Sequence, residues 1–438
     1  MFKIIFRLSY ILLLIAVLTT LFVPNGAEAD TDASNIVVLR VNGPIVPVIA
    51  GYIDRVISRA ERRGGSLCII ELNTPGGLLD TTEGIVQRIL NAKVPVVVYV
   101  SPYGSWAASA GTFITIAAHV AAMAPGTTIG AAHPVSVGES MPEEVKKKAT
   151  EYSAAWIRSI AETRGRDADQ AELAVKESKS FTVAQALENR LIDIRADDLR
   201  DLIRQLNGRK VILASKEEVV IDTASSVLAR EEMTWVERFL QVISNPNVAY
   251  ILLSLASIGL ITEIANPGLI FPGVVGGISL LIAFYSLGTL NAYWAGLLLI
   301  LLAFGLFVAE IFTPAFGILT AGGITSLIIG SLVLFTNNPP ALSVHPGLIA
   351  AVVIVVSAFV ILVIGAVVRG QRRRAATGIE ALVGKTAVAK TELNPKGTVL
   401  VEGELWSAII DDAMVKPGEE VIVTKVDGLK LVVTKKKN

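Results

Sequence analysis

Residues 94–111 read VPVVVYVSPYGSWAASAG. The first seven have the β-branched and aromatic character of a strand buried on both faces. Pro102 and Gly104 then mark a turn, and in 104–111 seven of the eight residues are small, Trp106 being the exception. A serine inside such a run, Ser109, has two readings. Small residues let backbones approach closely, so the run can be a tightly packed helix start. They also leave clear the approach to a nucleophile at a strand-to-helix turn.

The surroundings repeat this strand-then-helix pattern. The apolar runs NIVVLRV (35–41), LCIIELN (67–73) and VPVVVYV (94–100) alternate with helical patterns, VPVIAGYIDRVISRAERR (46–63) and LLDTTEGIVQRILNA (78–92). That alternation predicts parallel βαβ units in a soluble α/β domain. Residues 211–230 read as a short β excursion, and TWVERFLQVIS (234–244) as an amphipathic helix leading into a membrane.

LNTPGGLLD (72–80) follows one strand and opens the next helix. Gly76 and Gly77 leave backbone N–H groups unshielded at a helix start, where negative charge is stabilised. A phosphate loop uses similar glycines, but the Lys-Ser/Thr of the Walker pattern is absent. Two adjacent βα turns would bring the Gly77 N–H near Ser109, with the Ala110 N–H as a second donor, which is the arrangement of a nucleophile with an oxyanion hole. Ser101 precedes the glycine turn and Ser105 starts it, so both read as turn or capping residues.

A serine nucleophile needs a base. Of the three histidines, His345 lies beside the membrane and His119 sits in the apolar TIAAHVAAM as a core residue. His133, in GAAHPV, falls at a loop beyond Ser109. The other source is the run Lys146–Lys147–Lys148 before ATEYSAAWIRSIAE. A lysine base must be desolvated so that its pKa drops from about 10.4 to about 7–8. If the helix includes the run, Lys147 points away from the Ala149–Trp156–Ile160 face, whereas Lys146 and Lys148 both flank it. Helical phase does not separate those two, and a solvated basic run is the plain alternative.

The chain as a whole has 438 residues, 52% of them apolar, with 39 basic and 39 acidic side chains and a mean hydropathy of +0.60. That hydropathy calls for membrane segments, and the balanced charge gives no reason to expect nucleic acid as a partner. One cysteine, Cys68, excludes an internal disulfide and a cysteine metal cluster, and reads as a buried small hydrophobe. Residues 1–29, with Lys3 and Arg7 before an apolar stretch and Ala27-Glu28-Ala29 at its end, fit a signal peptide.

The domain expected over 30–245 is followed by an almost uncharged region, 246–369. This reads as about five spans, near 248–264, 269–288, 293–312, 315–335 and 347–368, with NPGLIFPG (266–273) as a re-entrant candidate. Arg369 and Arg372–Arg374 place the far end in the cytoplasm. An exported first domain then requires an odd number of spans. The region also repeats itself: Glu263, Pro267 and Gly276-Gly277-Ile278 recur as Glu310, Pro314 and Gly322-Gly323-Ile324. Two hairpins with equivalent turns would explain this, with both acids at the cytoplasmic side; an acid near a span is a functional candidate, with plain interfacial placement as the alternative. Residues 378–438 are polar and β-rich with NPKG, KPGEE and VDG turns, which predicts a small OB-like barrel of about five strands. Trp406 is its sole aromatic, so a protein contact is a better reading than a nucleic-acid platform.

The motifs NTPGG and AASAGTFITIAAHVAAMAPGTTIGAAHPV (107–135), with the barrel sequence GELWSA (403–408), resemble the ClpP-class membrane serine proteases of the NfeD family, the stomatin-operon partner proteins. The likeness runs over nearly the whole chain. It implies an α/β ClpP/crotonase-like ββα spiral, then a multi-span helical membrane domain, then the OB-like barrel. It implies a serine endopeptidase with a Ser–Lys dyad, working without metal or other cofactor. The serine of ASAG is Ser109. The family lysine precedes K-x-T-x-Y, here Lys148-Ala149-Thr150-Glu151-Tyr152, which selects Lys148 over Lys146. The oxyanion donors map to Gly77 and Ala110, with Gly76 as a further candidate. Soluble ClpP proteases place a histidine base near the position of His133, which stays open as an alternative. The resemblance also implies hydrophobic peptide or membrane-protein substrates, a stomatin-like or flotillin-like (SPFH) membrane partner, and a homo-oligomer. It places the protease domain outside the cytoplasm and the barrel inside it. Three other readings share parts of the pattern: a non-catalytic membrane scaffold, a signal-peptide peptidase, and an acyl-CoA crotonase, the last disfavoured because export removes the chain from its substrate.

Overall fold

A computed structural model of the chain describes residues 36–134, 143–224, 226–266, 268–290, 292–313, 317–335, 342–371, 379–410 and 414–436. The leader 1–29, residues 135–142 of the loop before the lysine run, Pro267, Pro314 and Arg372–Arg374 lie outside these.

Each turn of the first domain has the same plan. Strand β1 (Ile36–Asn42) leads to helix α1 (Pro47–Arg62), β2 (Leu67–Asn73) to α2 (Leu79–Leu90), and β3 (Val96–Val100) to a short β4 (Trp106–Ala108) and α3 (Ala110–Ala117). Then β5 (Val120–Met123) leads to a short β6 (Thr128–Gly130) and the long α4 (Glu143–Thr163), followed by α5 (Ala168–Lys176), β7 (Ser180–Thr182), α6 (Val183–Glu188), β8 (Ile194–Arg195), α7 (Leu199–Leu206), β9 (Lys210–Ile212), β10 (Glu218–Val220) and β11 (Leu228–Arg230). The six strands β11-β1-β2-β3-β5-β8 form one parallel sheet. Between each long strand and its helix the chain makes one more short pairing with the next turn: Ile45 with Gly77, Thr74 with Ala107, and Ala108 with Gly130. This is the expected ββα spiral.

The pattern of residues accounts for it. All five residues of β3 are buried, because a parallel strand has helices over both faces. Burial of such side chains contributes roughly 1.5–3 kcal/mol each, more than the local turn residues supply. Helix α1 starts with Pro47 at its first position and buries Ile49, Tyr52, Ile53, Val56, Ile57 and Ala60, an i, i+3, i+4, i+7 stripe. Cys68 lies within β2, fully buried, and burial pushes its thiol up to about 12, in keeping with a packing role.

Helix α8 (Trp235–Ile243) joins this domain to five apolar helices: α9 (Pro246–Ala265), α10 (Phe271–Thr289), α11 (Trp294–Phe312), α12 (Ile318–Val333) and α13 (Pro346–Gln371). Four of them are long and apolar enough to cross a membrane. The 16 residues of α12 rise only about 24 Å, short of the roughly 30 Å hydrocarbon layer. The expected repeat is present as two antiparallel hairpins, α9–α10 and α11–α12, each closed on glycine. A Cβ at Gly259 would sit 2.9 Å from the Gly276 Cα, and one at Gly296 would sit 2.5 Å from the Leu334 Cα. Without a hydrophobic force between helices in lipid, such close contact is what holds them. Tyr250 Oη and Ser331 Oγ, 2.6 Å apart, tie one hairpin to the other. Of the re-entrant candidate 266–273, Asn266 and 268–270 lie between α9 and α10, and 271–273 already belong to α10. Glu310 accepts from the Gly317 and Thr320 N–H groups at 2.8 and 2.9 Å, so it caps the start of α12, and Glu263 accepts from Gly268 in the equivalent turn. Both acids thus accept from backbone N–H groups of the turns that follow them, Glu310 through both oxygens and Glu263 through Oε1 alone.

Residues 361–438 form a separate compact unit. Its strands β12 (Thr386–Ala389), β13 (Lys396–Val401), β14 (Glu404–Ile409), β15 (Glu420–Asp427) and β16 (Lys430–Lys435) close in the order β12-β13-β14-β16-β15. The β14–β16 pair is parallel and the others antiparallel. This is the OB-type closure. Trp406 packs against the barrel core, which removes it as an open stacking platform.

Candidate active site

Ser109 stands at the N-terminus of α3 with φ 51° and ψ −114°. A non-glycine residue with positive φ is strained by about 1–2 kcal/mol. The turn is held from both sides. The Ser109 N–H donates to the Gly130 carbonyl at 3.0 Å, and Thr112 Oγ1 lies 2.9 Å from both the carbonyl and the amide nitrogen of Gly130. Among the described residues no hydrogen bond engages Ser109 Oγ, and the side chain is half-buried.

The small residues pack closely, as one of the two readings of the run requires. Ala107, Ala110 and Gly111 are buried, and a Cβ on Gly111 would come 2.6 Å from Thr74 Cγ2 and 2.9 Å from Ala107 Cβ. Gly111 therefore admits the neighbouring turn at Thr74. The side chain before them that faces solvent is Trp106, 53% exposed.

That neighbouring turn carries the glycine pair. Gly76 has φ 118°, and a Cβ there would lie 2.7 Å from Ser109 Cβ, so the backbone passes directly beside the serine. Its N–H donates to Thr74 Oγ1 at 3.1 Å, so in this structure the Gly76 donor is engaged within its own turn. The Ile45–Gly77 pairing uses the Gly76 carbonyl and the Leu78 N–H, which leaves the Gly77 N–H directed the other way. Among the described residues neither Gly77 N–H nor Ala110 N–H has a protein acceptor. Ala110 opens α3, whose first N–H groups have no intrahelical partner.

Thr74 and Thr112 escaped sequence reasoning because a lone threonine carries no pattern. So did two arginines at the other end of α3. Arg164 Nε donates to the Ala117 carbonyl at 2.7 Å, and Arg166 donates to the Ile116 and Ala118 carbonyls at 3.0 and 3.1 Å. They satisfy the C-terminal carbonyls of the serine-bearing helix. The basic RGR after α4 was the available signal.

The lysine run is inside α4, and Lys146, Lys147 and Lys148 are all exposed. No hydrogen bond joins Lys148 to Ser109 among the described residues. The path of α4 is nevertheless fixed at two points. Trp156 stacks on Phe113 of α3 with ring centroids 4.5 Å apart, and Tyr152 Oη donates to Glu83 of α2 at 2.9 Å. Lys148 lies one turn before Tyr152, about 6 Å along the axis and on the same stripe. The three elements meeting here are those that begin at Gly77, at Ser109 and near Lys148.

The histidines separate cleanly. At His119, Nδ1 accepts from the Val96 N–H at 3.2 Å, and burial, then Arg164 and Arg166, push its pKa down to about 3; it is a core residue, as expected. His133 Nδ1 donates to the Val175 carbonyl of α5 at 3.1 Å, which leaves Nε2 as the acceptor in the neutral ring. Ser101 and Ser105 are buried in the turn 101–106.

Three family descriptions match the chain: "NfeD1b, N-terminal domain" over residues 35–204, "NfeD integral membrane domain" over 247–366 and "NfeD-like C-terminal, partner-binding domain" over 379–435. The chain is similar to "Membrane-bound protease PH1510" of Pyrococcus horikoshii, 37% identical over 417 residues, which is 92% of this chain and 94% of that protein. It is also similar to "Membrane protein NfeD1b" of Bacillus subtilis, 27% identical over 436 residues, 93% and 94% of the respective chains. Among solved structures, the "1510-N membrane protease specific for a stomatin homolog from Pyrococcus horikoshii" covers 49% of this chain and 100% of its own, at 35% identity and a TM-score of 0.43.

Proposed function

The chain belongs to the NfeD family, and from that premise we propose that it is a membrane-anchored serine endopeptidase with Ser109 as nucleophile and Lys148 as base. The observation that carries the reading is the strained Ser109 beside two backbone amides, Gly77 and Ala110, that have no acceptor among the described residues. Its relative is named a membrane-bound protease, which supports the same class.

In the proposed reaction neutral Lys148 takes the proton of Ser109 Oγ as the oxygen attacks a peptide carbonyl. The Gly77 and Ala110 amides donate to the tetrahedral oxyanion. Lys148 then passes the proton to the leaving amine, and water, deprotonated by the same lysine, releases the acyl group. Lys148 is solvated here, so its activation requires desolvation, and a peptide laid across Ser109 would supply it. Exposed Trp106 and Leu79 flank the two turns, which favours apolar residues in the substrate.

A C-terminal domain described as partner-binding over 379–435 supports a membrane partner, which we propose to be stomatin-like or flotillin-like, with a hydrophobic segment of a membrane protein as substrate. We place the protease domain (30–245) outside the cytoplasm, the barrel (378–438) inside it, and the spans (246–369) between. The active unit is a homo-oligomer.

Covalent labelling of the full chain by a serine-reactive phosphonate tests the dyad. We expect labelling of wild type, none in Ser109→Ala, and loss in Lys148→Ala with retention in His133→Ala. Loss in His133→Ala alone moves the base to the Nε2 of that histidine. An unlabelled wild type, with a hydrophobic peptide present, supports instead a scaffold that binds peptides without cleaving them, a reading favoured by the exposed Lys148.

A further inference from the structure

Helix α8 makes two faces at once. At 100° per residue Val242, Trp235 and Phe239 fall within about 60° of one another, with Val236 at the margin. All four are exposed, Trp235 at 60%. The opposite side is tied to the first domain. Glu237 takes Arg55 in a two-pronged pair at 2.8 Å for each contact, and Gln241 Nε2 donates to the Asn42 carbonyl at 3.3 Å. Past its end, the Ile243 carbonyl accepts from Ser286 of α10, and Pro246 opens the membrane-spanning α9 one turn later. Helix α8 therefore ends against the membrane-crossing helices.

Arg238 sits between the two faces, about 40° from Val242. It lines a cleft of about 320 Å3 shared with Arg40, Arg230, Glu232 and Gln241. The charges there do not balance. Arg40 and Arg230 both bind a single carboxylate oxygen, Glu71 Oε2, at 3.2 and 3.1 Å. That carboxylate is buried while the two guanidiniums are 63% and 49% exposed. Arg238 pairs with Glu232. Glu231 also lines the cleft but is taken by Arg55 and Arg59, Arg55 being held by Glu237 as well, so the five guanidiniums of the cluster face four carboxylates, an excess of one positive charge.

We propose that this cleft binds the phosphate of an anionic phospholipid in the leaflet on the protease side, with the acyl chains lying along Trp235, Phe239 and Val242. Guanidiniums suit a phosphodiester because their N–H groups are paired and stay charged. An amphipathic helix with Trp and Phe on one face is built to lie at the headgroup boundary. Arg238 places a cation at that boundary, where headgroup and chain of one lipid would meet their respective surfaces. The order of contacts also links this surface to the oxyanion turn: Gln241 holds Asn42, Asn73 Nδ2 donates to Asn42 Oδ1 at 3.0 Å, and Gly43 N–H to the Asn73 carbonyl at 3.0 Å.

The experiment uses the full chain in a neutral detergent, mixed with equal amounts of phosphatidylglycerol and phosphatidylcholine, and retained lipid is read by native mass spectrometry. We expect phosphatidylglycerol to be preferred, with its retention reduced about fivefold in Arg40→Gln and again in Arg238→Gln. Arg40→Gln leaves Arg230 on Glu71, and Arg238→Gln alters an exposed pair, so either variant alone is decisive if the other fails to fold. Ser109→Ala should retain lipid as wild type does, which separates this proposal from the protease reading. Equal retention of the two lipids, or undiminished phosphatidylglycerol in the folded variants, overturns it. Displacement by inorganic phosphate as effective as by short-chain phosphatidylglycerol overturns the lipid assignment in favour of a free-anion site.

Discussion

Replacing Gly76 by alanine puts a methyl group where the serine stands. The added Cβ would lie 2.7 Å from Ser109 Cβ and 3.2 Å from its Oγ. Carbon atoms in contact prefer about 3.5–4.0 Å, so one of the two turns must move by about 1 Å. Overpacking of that kind costs about 1–3 kcal/mol, and holding alanine at φ 118° adds strain of about 1–2 kcal/mol. The two contributions are separable. In a Ser109→Gly background the serine Cβ is gone, and the nearest remaining atom, the Ala108 carbonyl oxygen at 3.5 Å, makes ordinary contact. Gly76→Ala should then cost only its backbone strain. Denaturant unfolding of the four full-length proteins in one detergent measures the coupling, expected at about 1–3 kcal/mol. In the serine background the same substitution should lower phosphonate labelling about 100-fold, the effect of misplacing a reacting atom by about 1 Å. Additive stabilities within about 0.5 kcal/mol, or undiminished labelling of Gly76→Ala, would refute the claim that the glycine turn passes against Ser109.

Other expectations follow from the same geometry. Because Ser109 has φ 51°, Ser109→Gly should be more stable than Ser109→Ala by about 1 kcal/mol, read as a higher midpoint in the same titration. Tyr152→Phe frees α4 from Glu83; we expect a labelling rate reduced about 3–10-fold while unfolding changes by no more than about 1 kcal/mol. His119 is held far below the ordinary imidazole pKa of 6.5, at about 3. The unfolded chain therefore takes up the proton first, so the stabilisation is complete above pH about 6.5 and drains away towards pH about 3, by up to about 1.4 kcal/mol per pH unit. Thermal melts of His119→Gln across that range should be flatter with pH than those of wild type, and parallel curves would count against the assignment.

The elements of this protein were legible because each rests on neighbours in the chain. The all-buried VVVYV, the stripe of α1 and the alternating strands of the barrel follow from period and composition, and so did Ser109 at a strand-to-helix turn. The purpose of the residues around it was not legible. Smallness at Gly111 left two readings open and is contact with Thr74, 37 positions earlier. Gly76 and Gly77 looked alike, yet a threonine hydroxyl occupies one amide and leaves the other free. Glu263 and Glu310 stood out as acids beside spans, and each accepts from a backbone N–H of the turn that follows it.

Sequence alone therefore determined which segments are strand, helix or span and which serine sits at the turn, since hydrophobic period and turn chemistry act over a few residues. Tertiary structure decided which amides are free beside that serine, that Lys148 stands on a helix pinned to α2 and α3, and that α8 joins a cationic cleft to an apolar face. Those facts depend on groups tens to hundreds of residues apart brought within hydrogen-bonding distance. Whether a donor is satisfied or a charge balanced depends on its neighbours in space, which the order of residues does not list.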